Sequence, residues 1–235
     1  MKLMSFTKNG ITGFGAINGD SVMDFSHKFK DLKTMLASGS TLKEGNLIPL
    51  VEVNYLPVIP NPEKIICVGV NYASHIAEMG REPGEFPLLF TRFANSQVGH
   101  NEPMLVPKES EKFDYEGELA LIIGKSGKRI SENNAMNYIA GYSCYNDGSV
   151  RDWQRHTSQF TAGKNFTGTG GFGPWMVSSD EINDPSELQI ETRLNGTVMQ
   201  SAPISDLVFN VPKLIAYIST FTELEPGDVI ITGTT

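Results

Sequence analysis

Apolar residues along much of this chain recur with a period of two, the spacing of a strand with one buried face. Near the start, ITGFGAI and SVMDF alternate in this way, and Asn9-Gly10 and Asn18-Gly19 beside them are hairpin signals. A short helix is predicted over 30–37. Pro57, Pro60 and Pro62 then break any regular element, which places a linker near residues 56–63, a small β-rich domain over 1–60 and a larger one over 61–235. The larger part opens on KIICVGV, a buried strand. NYASHIAEMG follows, a short helix that Asn71 or Ser74 is placed to cap and Gly80 to end, and then a flexible connector, REPGEFP. Further strands are predicted at 87–93, 104–106, 115–124, 138–146, 173–177, 188–194 and 228–232, and helices at 131–136, 150–159 and 211–221. Strands outnumber helices without a regular βαβ alternation, so the expected fold class is α+β and β-rich, a mixed, mostly antiparallel core with a small N-terminal domain.

Composition narrows the function. The 235 residues are 40% hydrophobic with a formal charge of −8, and the few Lys and Arg are dispersed. No basic stripe is offered to a phosphate backbone and no polybasic patch to a membrane, so neither nucleic acid nor a membrane is an expected partner. No apolar run approaches the roughly 20 residues that span a bilayer, and the start MKLMSF has no signal-peptide pattern, so the expected address is cytoplasmic. Cys67 and Cys144 stand apart, outside any CxxC pair, and read as small buried residues in a reducing compartment.

Charge changes the picture most inside FDYEGELALIIG. On an extended strand Glu116 and Glu118 share a face with Asp114, Ala120 and Ile122, while Tyr115, Leu119 and Leu121 take the other. Two carboxylates roughly 7 Å apart on a strand that otherwise reads as core are costly unless a cation, proton or water compensates them. Asp147, about thirty residues later in CYNDGSVRDWQ, supplies a third. An all-oxygen set suits Mg²⁺ or Mn²⁺, with Ca²⁺ as a substitute, rather than zinc. The competing reading makes Asp114, Glu116 and Glu118 the wet face of a half-exposed strand and Asp147 a helix cap.

Other candidates gather around this set. His75 and Glu78 lie three apart on the predicted helix, an acid and base dyad on a segment placed like a mobile lid, or a surface contact. Arg151 and Gln154 share a helical face just after Asp147. Lys164 sits in TAGKNFTG, an irregular stretch whose function depends on Asp147 being near. GTGGFG has the spelling of a dinucleotide loop, but Pro174 and Trp175 follow where a helix must begin, and GKS at 124–126 lacks the first glycine of a phosphate loop.

Six blocks in order, CVGVNYASHIAEMG, DYEGELALIIGK, GYSCYNDGSVRDWQ, GKNFTGTGGFGPW, LNGTVMQ and PGDVIITGT, resemble the fumarylacetoacetate hydrolase superfamily over about residues 64–234. The resemblance implies a β-roll catalytic domain, a homodimer, and Mg²⁺ or Mn²⁺ held by Glu116, Glu118 and Asp147. It implies catalytic roles for His75, Glu78 and Lys164 and substrate contacts from Arg151 and Gln154. Arg92 in LLFTRF stands where many members have lysine and is expected at the substrate carboxylate. Members continue past TGT with a glycine-rich turn, so the sequence is expected to be incomplete beyond Thr235, with Thr234 near the substrate. The implied reaction is hydrolysis of a carbon-carbon bond in a small 2-oxo or 1,3-dicarbonyl acid through a metal-stabilised enolate. The same chemistry serves an isomerase or hydratase of hydroxymuconate-type acids and an oxaloacetate decarboxylase, and the remaining alternative is a noncatalytic metal-stabilised binding protein.

Overall fold

The computed structural model describes residues 1–235. The chain begins with an antiparallel meander of β1 (Lys2–Lys8), β2 (Ile11–Asn18) and β3 (Ser21–Asp24), which follows from the hairpin signals. Asn9 and Gly10 both take positive φ, 52° and 78°, so the β1–β2 turn matches the right-handed twist of its strands. Helix α1 (Leu32–Ser38), β4 (Asn46–Pro49) and the short β5 (Asn54–Tyr55) complete this part. Residues 56–64 carry no regular element, yet Val58 and Ile59 are completely buried.

β6 (Ile65–Gly69), α2 (Ala73–Glu78) and β7 (Leu88–Arg92) come next, then the two-residue strands β8 (Gln97–Val98) and β9 (Phe113–Asp114). The centre is built by β10 (Gly117–Ile123), α3 (Glu132–Ala135), β11 (Ile139–Asp147) and β12 (Ser149–Val150). Two single helical turns, α4 (Arg151–Gln154) and α5 (Thr161–Lys164), lead into β13 (Gly170–Phe172) and β14 (Met176–Ser178). A hairpin of β15 (Gln189–Leu194) and β16 (Thr197–Pro203), helix α6 (Val211–Phe221) and β17 (Val229–Thr234) end the chain.

Thirteen strands form one mixed sheet, in the order β4-β3-β2-β1-β14-β11-β10-β17-β6-β7 along its main path. Only β17–β6 and β13–β8 pair in parallel, so the mostly antiparallel, β-rich α+β class expected from the sequence is what forms. The N-terminal strands join the rest through β1, which pairs with β14 at Lys2–Val177 and Leu3–Met176.

The central strands are buried on both faces, which explains their continuous apolar runs. Ile66, Val68, Leu119, Leu121 and Ile230 point to one side, against Leu214, Ile215 and Ile218 of α6. Ile65, Cys67, Ala120, Ile122 and Ile231 point to the other, against Leu3, Phe14, Phe25 and Leu32. One chain segment therefore serves two cores, with successive residues alternating between them.

Several elements differ from expectation. Residues 104–106 form no strand and make one ladder-like bond, Leu105 N–H to Gly168 O at 2.8 Å. The helix expected over 150–159 stops after one turn. A second turn packs on it at Gly163, where a Cβ would lie 2.4 Å from the Gln154 nitrogen, so only glycine permits the approach. The strand expected at 173–177 is split into β13 and β14 around Gly173-Pro174, and no helix follows GTGGFG. Helix α2 has no side-chain cap. Asn71 instead bonds Thr232 O at 2.8 Å and both backbone groups of Phe209, while Ser74 donates to Asp206 at 2.6 Å. The strands at 2–8 and 197–203 have weak alternation, and each is recognisable only from its partner.

Candidate metal centre and its cleft

Glu116 lies between β9 and β10, Glu118 in β10 and Asp147 at the end of β11. The β10–β11 ladder pairs Gly117 with Asn146, so both glutamates lie beside Asp147. The backbone ties them further: Asp147 N–H donates to Glu116 O at 2.8 Å, and Glu116 N–H to the Asn146 side chain at 3.0 Å. One oxygen from each of Glu116, Glu118 and Asp147 lies within 4.8 Å of the others, and all three residues are buried. The wet-face reading fails on that burial. Asp114 is turned outward to Arg151 instead, at 2.9 Å.

Glu118 owes its surroundings to an irregularity in β17. The β10–β17 register shifts between Glu118 and Ala120, and Gly233 within the shift has a φ of 103°. That turn directs the Gly233 N–H at Glu118 Oε2, 2.5 Å away. A Cβ at Gly233 would strike Asn71 Cβ at 2.9 Å, so both the φ and the space demand glycine.

The cations are distributed unevenly. Lys164 Nζ, nearly inaccessible, donates to Glu116 Oε2 at 2.5 Å and Asp147 Oδ2 at 2.6 Å and stands 5.0 Å from the centre of the Phe90 ring. Arg151 donates to Glu116 Oε1 at 2.5 Å and to Gln154 Oε1 at 3.1 Å. Glu118 has no cation in contact. Burial first, then the charges of Asp147 and Glu116, push its carboxyl well above the usual range. Burial also works against ionised Asp147, but the Lys164 and Arg92 charges outweigh it and hold that carboxyl below its ordinary value. For Lys164, burial favours the neutral amine, and the charges of Asp147, Glu116 and Glu118 override it and raise its pKa. A buried all-oxygen set with one carboxylate short of a counter-charge fits a hard divalent cation.

Arg92 does not stand where a substrate carboxylate was expected. It is buried behind Asp147, donating to Asp147 Oδ1 at 2.6 Å, Gly148 O at 3.1 Å, Thr169 Oγ1 at 2.8 Å and Ser96 Oγ at 3.2 Å. The guanidinium braces Asp147, with its donors directed into the protein.

A cleft of about 750 Å³ opens over Glu116 and Glu118, with Asp147 buried behind them, and His75, Arg151, Gln154, Lys164 and Thr234 all border it. Glu78 does not. Its side chain is 79% exposed and its Oε2 lies 3.8 Å from His75 Nδ1, beyond hydrogen-bond range. Thr234 donates to Gly117 O at 3.1 Å and accepts from Gln200 Nε2 at 2.7 Å. Gln200, which also accepts from Gly117 N–H at 3.0 Å, was not singled out in the sequence. It ends the LNGTVMQ block, whose strand has too little alternation to mark it.

The sequence profile described as "Fumarylacetoacetate (FAA) hydrolase C-terminal" matches residues 64–235. The oxaloacetate tautomerase fahd2, mitochondrial, of Xenopus laevis is 43% identical over 184 residues, covering 77% of this chain. The chain spans 58% of that protein's length. Among solved structures, a fumarylacetoacetate hydrolase from Exiguobacterium antarcticum superposes with a TM-score of 0.88 at 34% identity, over all of this chain and 86% of that one. A maleylpyruvate hydrolase from Sphingobium sp. SYK-6, in complex with manganese (II) ion and pyruvate, superposes with a TM-score of 0.82 at 26% identity, over all of this chain and 88% of that one.

Proposed function

Because the chain belongs to the fumarylacetoacetate hydrolase family, we propose that it is a divalent-metal-dependent enzyme that interconverts the keto and enol forms of a small 2-oxo acid. The observation that carries this reading is the buried Glu116, Glu118 and Asp147 set, in which Glu118 has no cation in contact and from which Glu116 and Glu118 border a cleft. These three residues would hold Mg²⁺ or Mn²⁺, which supplies Lewis acidity to polarise a 2-oxo carboxylate and stabilise enolate charge.

The chain's own groups provide the rest. Lys164 keeps its proton and places a positive charge beside the carboxylates, where negative charge gathers on a substrate oxygen. Arg151 holds Glu116 and Gln154 in fixed positions. His75 borders the cleft, and an imidazole suits removal of a proton from the carbon next to the carbonyl and its return to oxygen. Tautomerisation needs only this proton transfer.

Hydrolysis of a carbon-carbon bond, the reaction expected from the sequence, needs in addition a base that activates water. The separation of 3.8 Å between His75 and Glu78 favours it as a second reading, since both lie on α2 and a small side-chain rotation would join them. Incubation of the Mg²⁺- and Mn²⁺-loaded protein with oxaloacetate, following loss of the enol by ultraviolet absorbance, and with acylpyruvates, following products by mass, separates the two. In the Glu118→Gln variant, metal affinity by calorimetry and turnover should fall together, each by about a hundredfold or more. Full turnover in chelator-treated wild type would sink both readings.

A further inference from the structure

Gln200 borders the cleft, yet its amide is engaged by the protein at both ends. Its Oε1 accepts from Gly117 N–H at 3.0 Å, and its Nε2 donates to Thr234 Oγ1 at 2.7 Å and to Thr235 O at 2.8 Å. An amide nitrogen carries two N–H groups, so no donor is left for a ligand. Thr234 closes the ring, its hydroxyl donating to Gly117 O at 3.1 Å. Both backbone groups of Gly117 are therefore met by side chains.

Gly117 is the residue between Glu116 and Glu118. In an extended segment its neighbours direct their peptide groups to one side and it directs its own to the other. Accordingly Glu116 O accepts from Asp147 N–H of β11 at 2.8 Å, while Gly117 is held by Gln200 of β16 and Thr234 of β17. The hairpin is shaped to deliver this amide. Gln200 stands opposite Thr192, and the next pair is Arg193 with Val198, so Met199 is the extra residue of a bulge beside Gln200. Thr192 presses on the same glycine: a Cβ at Gly117 would lie 2.0 Å from Thr192 Oγ1, so only glycine admits the hairpin this closely.

We infer that Gln200 is a positioning residue for the metal-holding pair. By fixing the peptide between them it sets the spacing and direction of Glu116 and Glu118, and it seats Thr234 at the cleft by the same amide. The inference rests on the proposed binding of a divalent ion by these carboxylates. Ligand oxygens have to be held to within about 0.2 Å of the ion's preferred distance, so a group that holds the ligands governs affinity along with them.

The test uses Mn²⁺ and the full chain, with affinity read by calorimetry and the ion's surroundings by electron paramagnetic resonance. Gln200→Met keeps the length of the side chain and removes its donors and acceptor. Affinity should fall about tenfold and the resonance should broaden, while the urea midpoint of the metal-free protein moves little. Gln200→Glu keeps an acceptor for Gly117 N–H and should restore most of the affinity and the wild-type line shape. Gln189→Met makes the same change on β15, where the exposed amide donates to Ser201 Oγ at 2.9 Å, and should leave both readings at wild type. Unchanged affinity and line shape in Gln200→Met, or an equal loss in Gln200→Glu or Gln189→Met, would overturn the positioning role and leave the enzymatic reading intact. A Gln200→Met chain without a cooperative unfolding transition would overturn it likewise, since the contact would then serve folding. Wild type that binds no Mn²⁺ would overturn the proposed function and this inference together.

Discussion

At the scale of single residues, the site turns on how three buried carboxyl groups are compensated. Lys164 serves two of them from a buried position, and removing one member of such a network strands the others in a medium that solvates them poorly. In metal-free protein, Lys164→Met should therefore cost about 3–5 kcal/mol in chemical denaturation. Mn²⁺ should restore more stability to this variant than to wild type, because the ion supplies the missing charge. Unchanged stability of the metal-free variant would show that the carboxylates do not depend on Lys164. Residue identity announced Glu116, Glu118 and Asp147, since carboxylates on a core strand are costly wherever they occur. It did not announce the direction of Arg92. An arginine beside a strand end can serve substrate or ligand equally well, and only the position of Asp147, 55 residues on in the chain, decides that it points inward.

Elements show where local signals suffice. Helix α1 begins at Asp31, whose carboxylate accepts the Thr34 N–H at 2.8 Å, and ends at Gly39 in the left-handed region. Asp31→Ala should cost about 1 kcal/mol, measured by urea denaturation at neutral pH. Partial burial pushes the Asp31 carboxyl up, but the hydrogen bonds from Thr34 and Asn61 prevail and hold it below its ordinary value. Because the folded pKa is the lower one, the cap's contribution is complete above the unfolded pKa of about 4 and is lost as pH falls through the folded value. The stability difference between wild type and Asp31→Ala should thus shrink only below about pH 4, and a difference that shrinks between pH 5 and 7 would assign it elsewhere. The α4 and α5 turns show the opposite case. Their sequence supports a longer helix, and the break that carries Lys164 to Glu116 depends on Gly163 touching Gln154.

Across the whole molecule, one core joins the two ends of the chain. Leu3, Phe14, Phe25 and Leu32 pack on Ile65, Cys67, Ala120, Ile122 and Ile231, and β1 hydrogen-bonds β14. A chain limited to residues 61–235 would expose that face of the central strands and leave the β14 edge unpaired, so it should aggregate or bind a hydrophobic dye. A soluble fragment with a cooperative unfolding transition would refute this dependence. No helix is long and apolar enough to cross a membrane. The period of two, the turn dipeptides and the misplaced charges determined by themselves that this is a β-rich chain with carboxylates on a strand that otherwise reads as core, because strand geometry and the cost of buried charge act locally and everywhere alike. Which oxygens meet, that Arg92 braces Asp147, and that Gln200 holds Thr234 were decided only by the tertiary structure. Those facts depend on strand register and on two irregular turns, where residues far apart in the chain come within hydrogen-bond distance, and no local pattern encodes that distance.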